Sequence, residues 1–193
     1  MQPKKVIEAF DKFLTSKGES FSGIIIGGGA LSLLGIISRE TRDIDVLDPA
    51  LSEKMIELAQ EFAANNSLVK NWLNNEPKDL KHELPVGWMK RIVSLYSGES
   101  LELHTLGRSD LLKTKLFAYC DRDLDRKDCI DMKPTQEELR EAQEWVKVRD
   151  EHPGWPKHVE TSFQSLAKEL GYASVFRDWR QADFEPDRHR HAP

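Results

Sequence analysis

The chain has only two cysteines, Cys120 and Cys129, in 193 residues. They are too few for a disulfide framework and sit in no C-x-x-C or Cys/His zinc spacing, so both read as free thiols of a protein in a reducing cytoplasm. No apolar run approaches the roughly 20 residues of a membrane span. The opening "MQPKKVIEAFDKFLTSKGES" alternates charged and apolar residues at helical spacing, where a secretory leader would carry a basic end and an apolar core. A soluble intracellular protein with no membrane partner is expected. An excess of basic charge is missing too: 28 Lys and Arg stand against 33 Asp and Glu, a formal charge of −5. That excludes a protein whose main business is coating nucleic acid, while a local basic groove stays open. There is no internal repeat and no low-complexity block.

The length suits one domain, or one domain with a helical appendage, and suffices to bury a core. Val6, Ile7, Phe10, Phe13 and Leu14 recur at helical spacing over 4–16. Ile24-Ile25-Ile26 reads as a buried strand stopping at Gly27, 30–37 as a short apolar helix, and 43–47 as a second strand. Ser52 is a candidate N-cap for an amphipathic helix through Met55, Leu58, Ala59 and Phe62, ended by "NNS". The stretch 70–90, rich in Asn, Pro and Trp, shows no period and is expected to be irregular. Residues 91–96 and 101–106 read as a hairpin around Ser97-Gly98-Glu99-Ser100. Ser109 or Asp110 is expected to cap a helix through "LLKTKLFAYCDRD". Thr135 and Glu138 form a capping box for another, broken by "EHPGWP", and 159–170 is a further helix. His189 and His191 in the tail read as solvated, as do His82, His152 and His158. The order of elements predicts an α+β fold.

Two features in "GIIIGGGALSLLGIISRETRDIDVL" carry chemistry. A strand that ends in Gly27, Gly28 and Gly29 and feeds a helix leaves backbone N–H groups unobstructed for an anion. It also suits a close-packed turn with no ligand. It is neither a Walker A loop nor G-x-G-x-x-G. Asp43 and Asp45 alternate along a strand, so both carboxylates share a face while Ile44 and Val46 enter the core. Two anions that close call for a cation between them, and Mg²⁺ binds through one or two carboxylates plus substrate phosphates. The other reading is a solvated strand face.

An apolar residue, glycines, thirteen residues from Ala30 to Arg42, and then Asp-apolar-Asp-apolar together resemble the DNA polymerase beta nucleotidyltransferase superfamily. Within it the chain is similar to the minimal, AbiEii-like bacterial nucleotidyltransferases of type IV toxin–antitoxin systems, over most of 21–145. The resemblance implies a mixed β-sheet palm with flanking helices over 1–132 and a helical C-terminal extension over 133–183, while the tail over 184–193 reads as disordered from its own residues. It implies Mg²⁺ or Mn²⁺ on Asp43 and Asp45, an NTP as donor, and an RNA or protein hydroxyl as acceptor. A toxin role with a cognate antitoxin follows from the same likeness. Members usually have Ser or Thr in the glycine turn. This chain has Gly29, which leaves phosphate contacts to backbone amides.

The superfamily also takes a third carboxylate from a later strand, and "LELHTL" offers only Glu102, which points either to the site or to water. Lys115, Arg122, Lys127-Asp128 and Asp131 match a further pattern of the family, which implies triphosphate contact for Lys115, nucleotide binding for Arg122, and for Asp128 either orienting the lysine or touching the nucleotide. By the residues alone, Lys115 belongs either to the site or to a solvated helix face. Arg39 and Arg42, just before the aspartates, reach either a phosphate or an acceptor, or Arg42 merely screens Asp43. Trp72 and Trp88 read as core packing, with base stacking the alternative. Trp145 is assigned to packing between the helical tail and the sheet. Three functions follow: a nucleotidyltransferase; a binding module on the same fold that has lost turnover; and a kinase-like enzyme that moves the γ-phosphate.

Overall fold

A computed structural model describes residues 2–123 and 125–172. The tail at 184–193, and the end of the extension expected over 133–183, lie outside the described residues. The chain divides into two compact units, Met1–Lys115 and Leu116–Pro193.

The first unit opens with α1 (Pro3–Lys17), which has Pro3 in its first turn and ends where Gly18 turns left-handed at φ 68°. Its buried stripe is Ile7, Phe10 and Leu14. Then follow β1 (Phe21–Ile26), α2 (Gly27–Leu33), β2 (Ile44–Asp48) and α3 (Glu53–Asn65). Ser52 caps α3 as expected, its hydroxyl accepting from the Met55 N–H. The helix expected over 30–37 starts earlier, at the first glycine, and stops at Leu33. Gly27, at φ 77°, turns the chain directly from strand into helix, and Gly35, at φ 71°, follows its end.

The stretch 70–90 is more ordered than expected. It holds a two-residue strand, β3 (Leu73–Asn74), and 3-10 turns at Lys78–His82 and Trp88–Arg91. The hairpin forms as β4 (Val93–Ser97) and β5 (Leu101–Thr105). The mixed sheet has the order β3-β2-β1-β5-β4, with β1 antiparallel to β2 and parallel to β5. One face is packed by α1 and α3, where Phe10, Phe62 and Trp72 cluster ring to ring. Trp72 is fully buried and donates from its indole to the Ala59 carbonyl, so it is core.

Helix α4 (Arg108–Arg122) begins before either residue expected to cap it, because the Leu111 N–H already bonds back to Gly107 O. Asp110 therefore lies inside the first turn and takes a bidentate pair from Arg91, at 2.7 and 3.0 Å. Ser109 accepts from Lys113.

The second unit is helical beyond α4: α5 (Arg126–Asp131), α6 (Gln136–Lys147) and α7 (Trp155–Glu169). Thr135 and Glu138 make the expected capping box on α6. The Trp155 indole donates to Val146 O, which joins the last two helices. Trp145 meets Phe117 edge-on and lies under the Arg149 guanidinium. His158 Nε2 sits 2.7 Å from the Cys120 carbonyl. Both cysteines are buried and neither is in a disulfide, and burial pushes the Cys120 thiol up to about 12. Among the described residues, no helix is long and apolar enough to cross a membrane.

Candidate nucleotidyltransferase site

Asp43 directly precedes β2 and Asp45 lies within it, both half-buried and alternating with the fully buried Ile44 and Val46. The alternation expected of a strand therefore holds. Across the sheet Asp45 pairs with Ile26, the last residue of β1, and on its other side with Asn74 of β3. Those two neighbours set its surroundings.

Gly27 directly follows Ile26, and Asp45 Oδ2 lies so close to it that a methyl group at position 27 would overlap the carboxylate. From the other side, Asn74 Nδ2 donates to Asp45 Oδ1 at 3.1 Å, while Asn74 Oδ1 accepts the Glu76 N–H. Asn74 is buried. The acidity of Asp45 is set first by burial, which raises its pKa. The Asn74 bond opposes this, the Asp43 carboxylate raises it again, the Lys115 ammonium lowers it and Glu76 raises it, and the balance is upward. Lys115 on α4 is only 5% exposed, which places a buried cation in the field of Asp45.

The other two glycines are shaped by close approach. A methyl group at Gly29 would stand 2.6 Å from Ile44 Cδ1 and 3.3 Å from the Asp43 carbonyl, so β2 packs where a Ser or Thr side chain would need room. At Gly28 it would stand 3.1 Å from Thr41 Cγ2 and 3.2 Å from a guanidinium nitrogen of Arg39. The loop between α2 and β2 thus folds back onto the glycines and lays Arg39 over them. Arg42 is exposed.

With this geometry in view, the family comparison is decisive: residues 4–145 match the family model described as nucleotidyltransferase of unknown function (DUF6036). The chain belongs to that family. No curated protein and no solved structure matches the chain. Family membership supports the nucleotidyltransferase superfamily, and the five-stranded mixed sheet with its helices is the α+β fold expected for it. The match covers the glycine turn, both aspartates and Lys115.

Glu102 stands apart from this group. It pairs with Ser22, four residues before Ile26, which puts it about 13 Å along the sheet from the level of Asp45. Its carboxylate accepts from the Ser22 hydroxyl at 3.4 Å and faces His104 Nε2 at 3.6 Å. Among the described residues, no group of three or more His, Cys, Asp or Glu is placed to hold a metal ion. Arg122 and Asp128 belong to the second unit. Arg122 is exposed beside Asp121, and Asp128 is buried within α5. Trp88 is half-buried in the second 3-10 turn.

Asn74 is the residue that sequence reasoning missed. A strand of two residues is shorter than any alternation can reveal, and "WLNN" carries no other signal. Its role arises only when β3 lies beside β2.

Proposed function

We propose that the chain is a Mg²⁺- or Mn²⁺-dependent nucleotidyltransferase that moves an NMP from an NTP to a hydroxyl of RNA, tRNA included, or of a protein. The observation that supports this is the setting of Asp45: a partly buried carboxylate with a second carboxylate beside it, one amide donor, one buried ammonium, and a glycine where a side chain would cover it. Two carboxylates so placed favour a hard cation that also takes phosphate oxygens and waters. Asp43 and Asp45 would hold it. When bound, a divalent ion neutralises charge on the transferring phosphate and acidifies the attacking hydroxyl.

The chain's own groups do the rest. The backbone N–H groups of Gly27, Gly28 and Gly29 would take the phosphate oxygens, and Arg39 adds a guanidinium over Gly28. Asn74 fixes the rotation of the Asp45 carboxylate through its bond to Oδ1. The acceptor oxygen bonds to the α-phosphorus as the bond to the β-phosphate oxygen breaks, and pyrophosphate leaves. Lys115 offsets the negative charge that builds on it. The AbiEii-like resemblance extends the proposal to a toxin with a cognate antitoxin, acting in the cytoplasm. Glu102, about 13 Å along the sheet from the level of Asp45, is left out of this site.

A second reading, a binding module without turnover, is favoured by the two-carboxylate donor set and by Gly29, whose place excludes a phosphate-binding hydroxyl. Transfer of label from each of four α-labelled NTPs, with Mg²⁺, onto RNA and protein fractions of a cell extract separates the two. Label in one fraction that depends on Asp45 supports the transferase and names the acceptor class. Mg²⁺-dependent NTP binding without transfer supports the module, and γ-label transferred in place of α-label supports the kinase-like alternative.

A further inference from the structure

Taking Asp43 and Asp45 as the metal ligands proposed above, we infer that Asn74 limits their site to a single divalent ion. In a site for two ions the cations stand about 4 Å apart, close enough for one carboxylate to bridge them through its two oxygens. The two oxygens of Asp45 are not equivalent. Oδ2 lies beside Gly27, which has no side chain to cover it. Oδ1 lies on the β3 side and accepts from Asn74 Nδ2 at 3.1 Å, so a cation at Oδ1 would meet the positive hydrogens of an amide.

The orientation of that amide is forced. Its oxygen accepts the Glu76 N–H at 2.9 Å, which only an acceptor can do, and the NH₂ end is left to Asp45. Asn74 is buried, and its neighbours pin the strand on either side: the Trp72 indole donates to Ala59 O, and the Leu51 N–H donates to Asn75 Oδ1. The amide cannot swing away. Because Asn74 pairs directly with Asp45 across the sheet, position 74 is where a third acid would have to stand to share a second ion with Asp45. No other acid substitutes for it. Glu102 lies too far along the sheet, Glu76 is exposed to water, and among the described residues no third His, Cys, Asp or Glu joins the two aspartates. The charges agree. Two carboxylates and the buried Lys115 ammonium leave one net negative charge, which one divalent ion already reverses, and a second would add like charge beside Lys115.

The test is a Mn²⁺ titration of the full chain without nucleotide, followed by electron paramagnetic resonance, which counts bound ions and reveals an exchange-coupled pair. Circular dichroism verifies folding. The wild type is expected to bind one Mn²⁺ per chain. Asn74→Asp should bind two, as an exchange-coupled pair. Asn74→Ala, which removes the donor and adds no acid, should still bind one, with affinity lowered about tenfold because a ligand loses its supporting hydrogen bond. Should Asn74→Asp fail to fold, the wild-type count and the Asn74→Ala affinity decide. A wild type that binds two ions overturns the proposal. So does an Asn74→Asp chain that still binds one, or an Asn74→Ala chain of unchanged affinity, and each of these leaves the transferase reading standing. A wild type that binds no Mn²⁺ removes the metal site and the transferase reading together.

Discussion

Asp11 and Asp45 are both carboxylates withdrawn from water in the same unit, and their surroundings have opposite effects. Asp11, on α1, lies beneath the β4–β5 turn, where it accepts the N–H groups of Glu99, Ser100 and Leu101 and the Tyr96 hydroxyl. Burial pushes its pKa up, but the four hydrogen bonds outweigh burial and hold it below the ordinary carboxylate range. Asp45 has the same penalty with one amide donor against it and another carboxylate nearby, and its pKa rises. A buried acid surrounded by donors is part of the scaffold, whereas one short of donors and next to a second acid is poised for a cation.

Asp45→Ala sharpens the contrast most. NMP transfer should fall by about a thousandfold or more, since metal-assisted charge stabilisation amounts to several kcal/mol, while the thermal midpoint falls little. Wild-type turnover by that variant breaks the assignment of Asp45. Asp11→Ala should do the reverse. It strands three backbone N–H groups and should cost about 3 kcal/mol of stability in denaturant titration, with activity per folded molecule retained.

The pH dependence separates the two acids again. Because the folded pKa of Asp11 is depressed, its stabilisation is complete above the unfolded value near 3.9 and is lost as pH falls through the lower folded value. Asp45 has the opposite sign: the cost of ionising it grows as pH rises from the unfolded value and is complete above the raised folded value. Asp45→Asn should therefore raise the thermal midpoint at neutral pH, and the gain should vanish as pH falls below the unfolded carboxylate value. A gain that persists in acid would detach it from ionisation.

Lys115→Met should lower kcat/KM for NTP about thirtyfold, or about 2 kcal/mol, with a smaller change in stability. An unchanged value removes Lys115 from the site. Gly27→Ala forces a side chain into φ 77° and against Asp45 Oδ2. It should cost about 1 kcal/mol of stability and lower metal-dependent activity, and full activity would show that Asp45 does not need that approach.

Much of this was legible in the chain. Helices α1, α3 and α6 follow from local periodicity and caps, since a helix satisfies its hydrogen bonds within a few residues and its signals lie within a turn of its ends. The D-I-D alternation likewise predicted which faces Asp43, Ile44, Asp45 and Val46 take, because a strand reverses face at every residue. The family spacing brought the glycines, the aspartates and Lys115 into one expectation. Only the tertiary structure decided what Asp11, Asp110 and Asn74 do. Asp11 reaches a loop some 90 residues away, Asp110 is drawn from a cap to Arg91, and Asn74 reaches Asp45 because a two-residue strand lies beside β2. The family resemblance singled out Glu102, whose distance from the aspartates depends on the pairing of β5 with β1. These are contacts between segments far apart in sequence, settled by sheet order and register. No local pattern encodes that choice, because it is made by burying the whole core together.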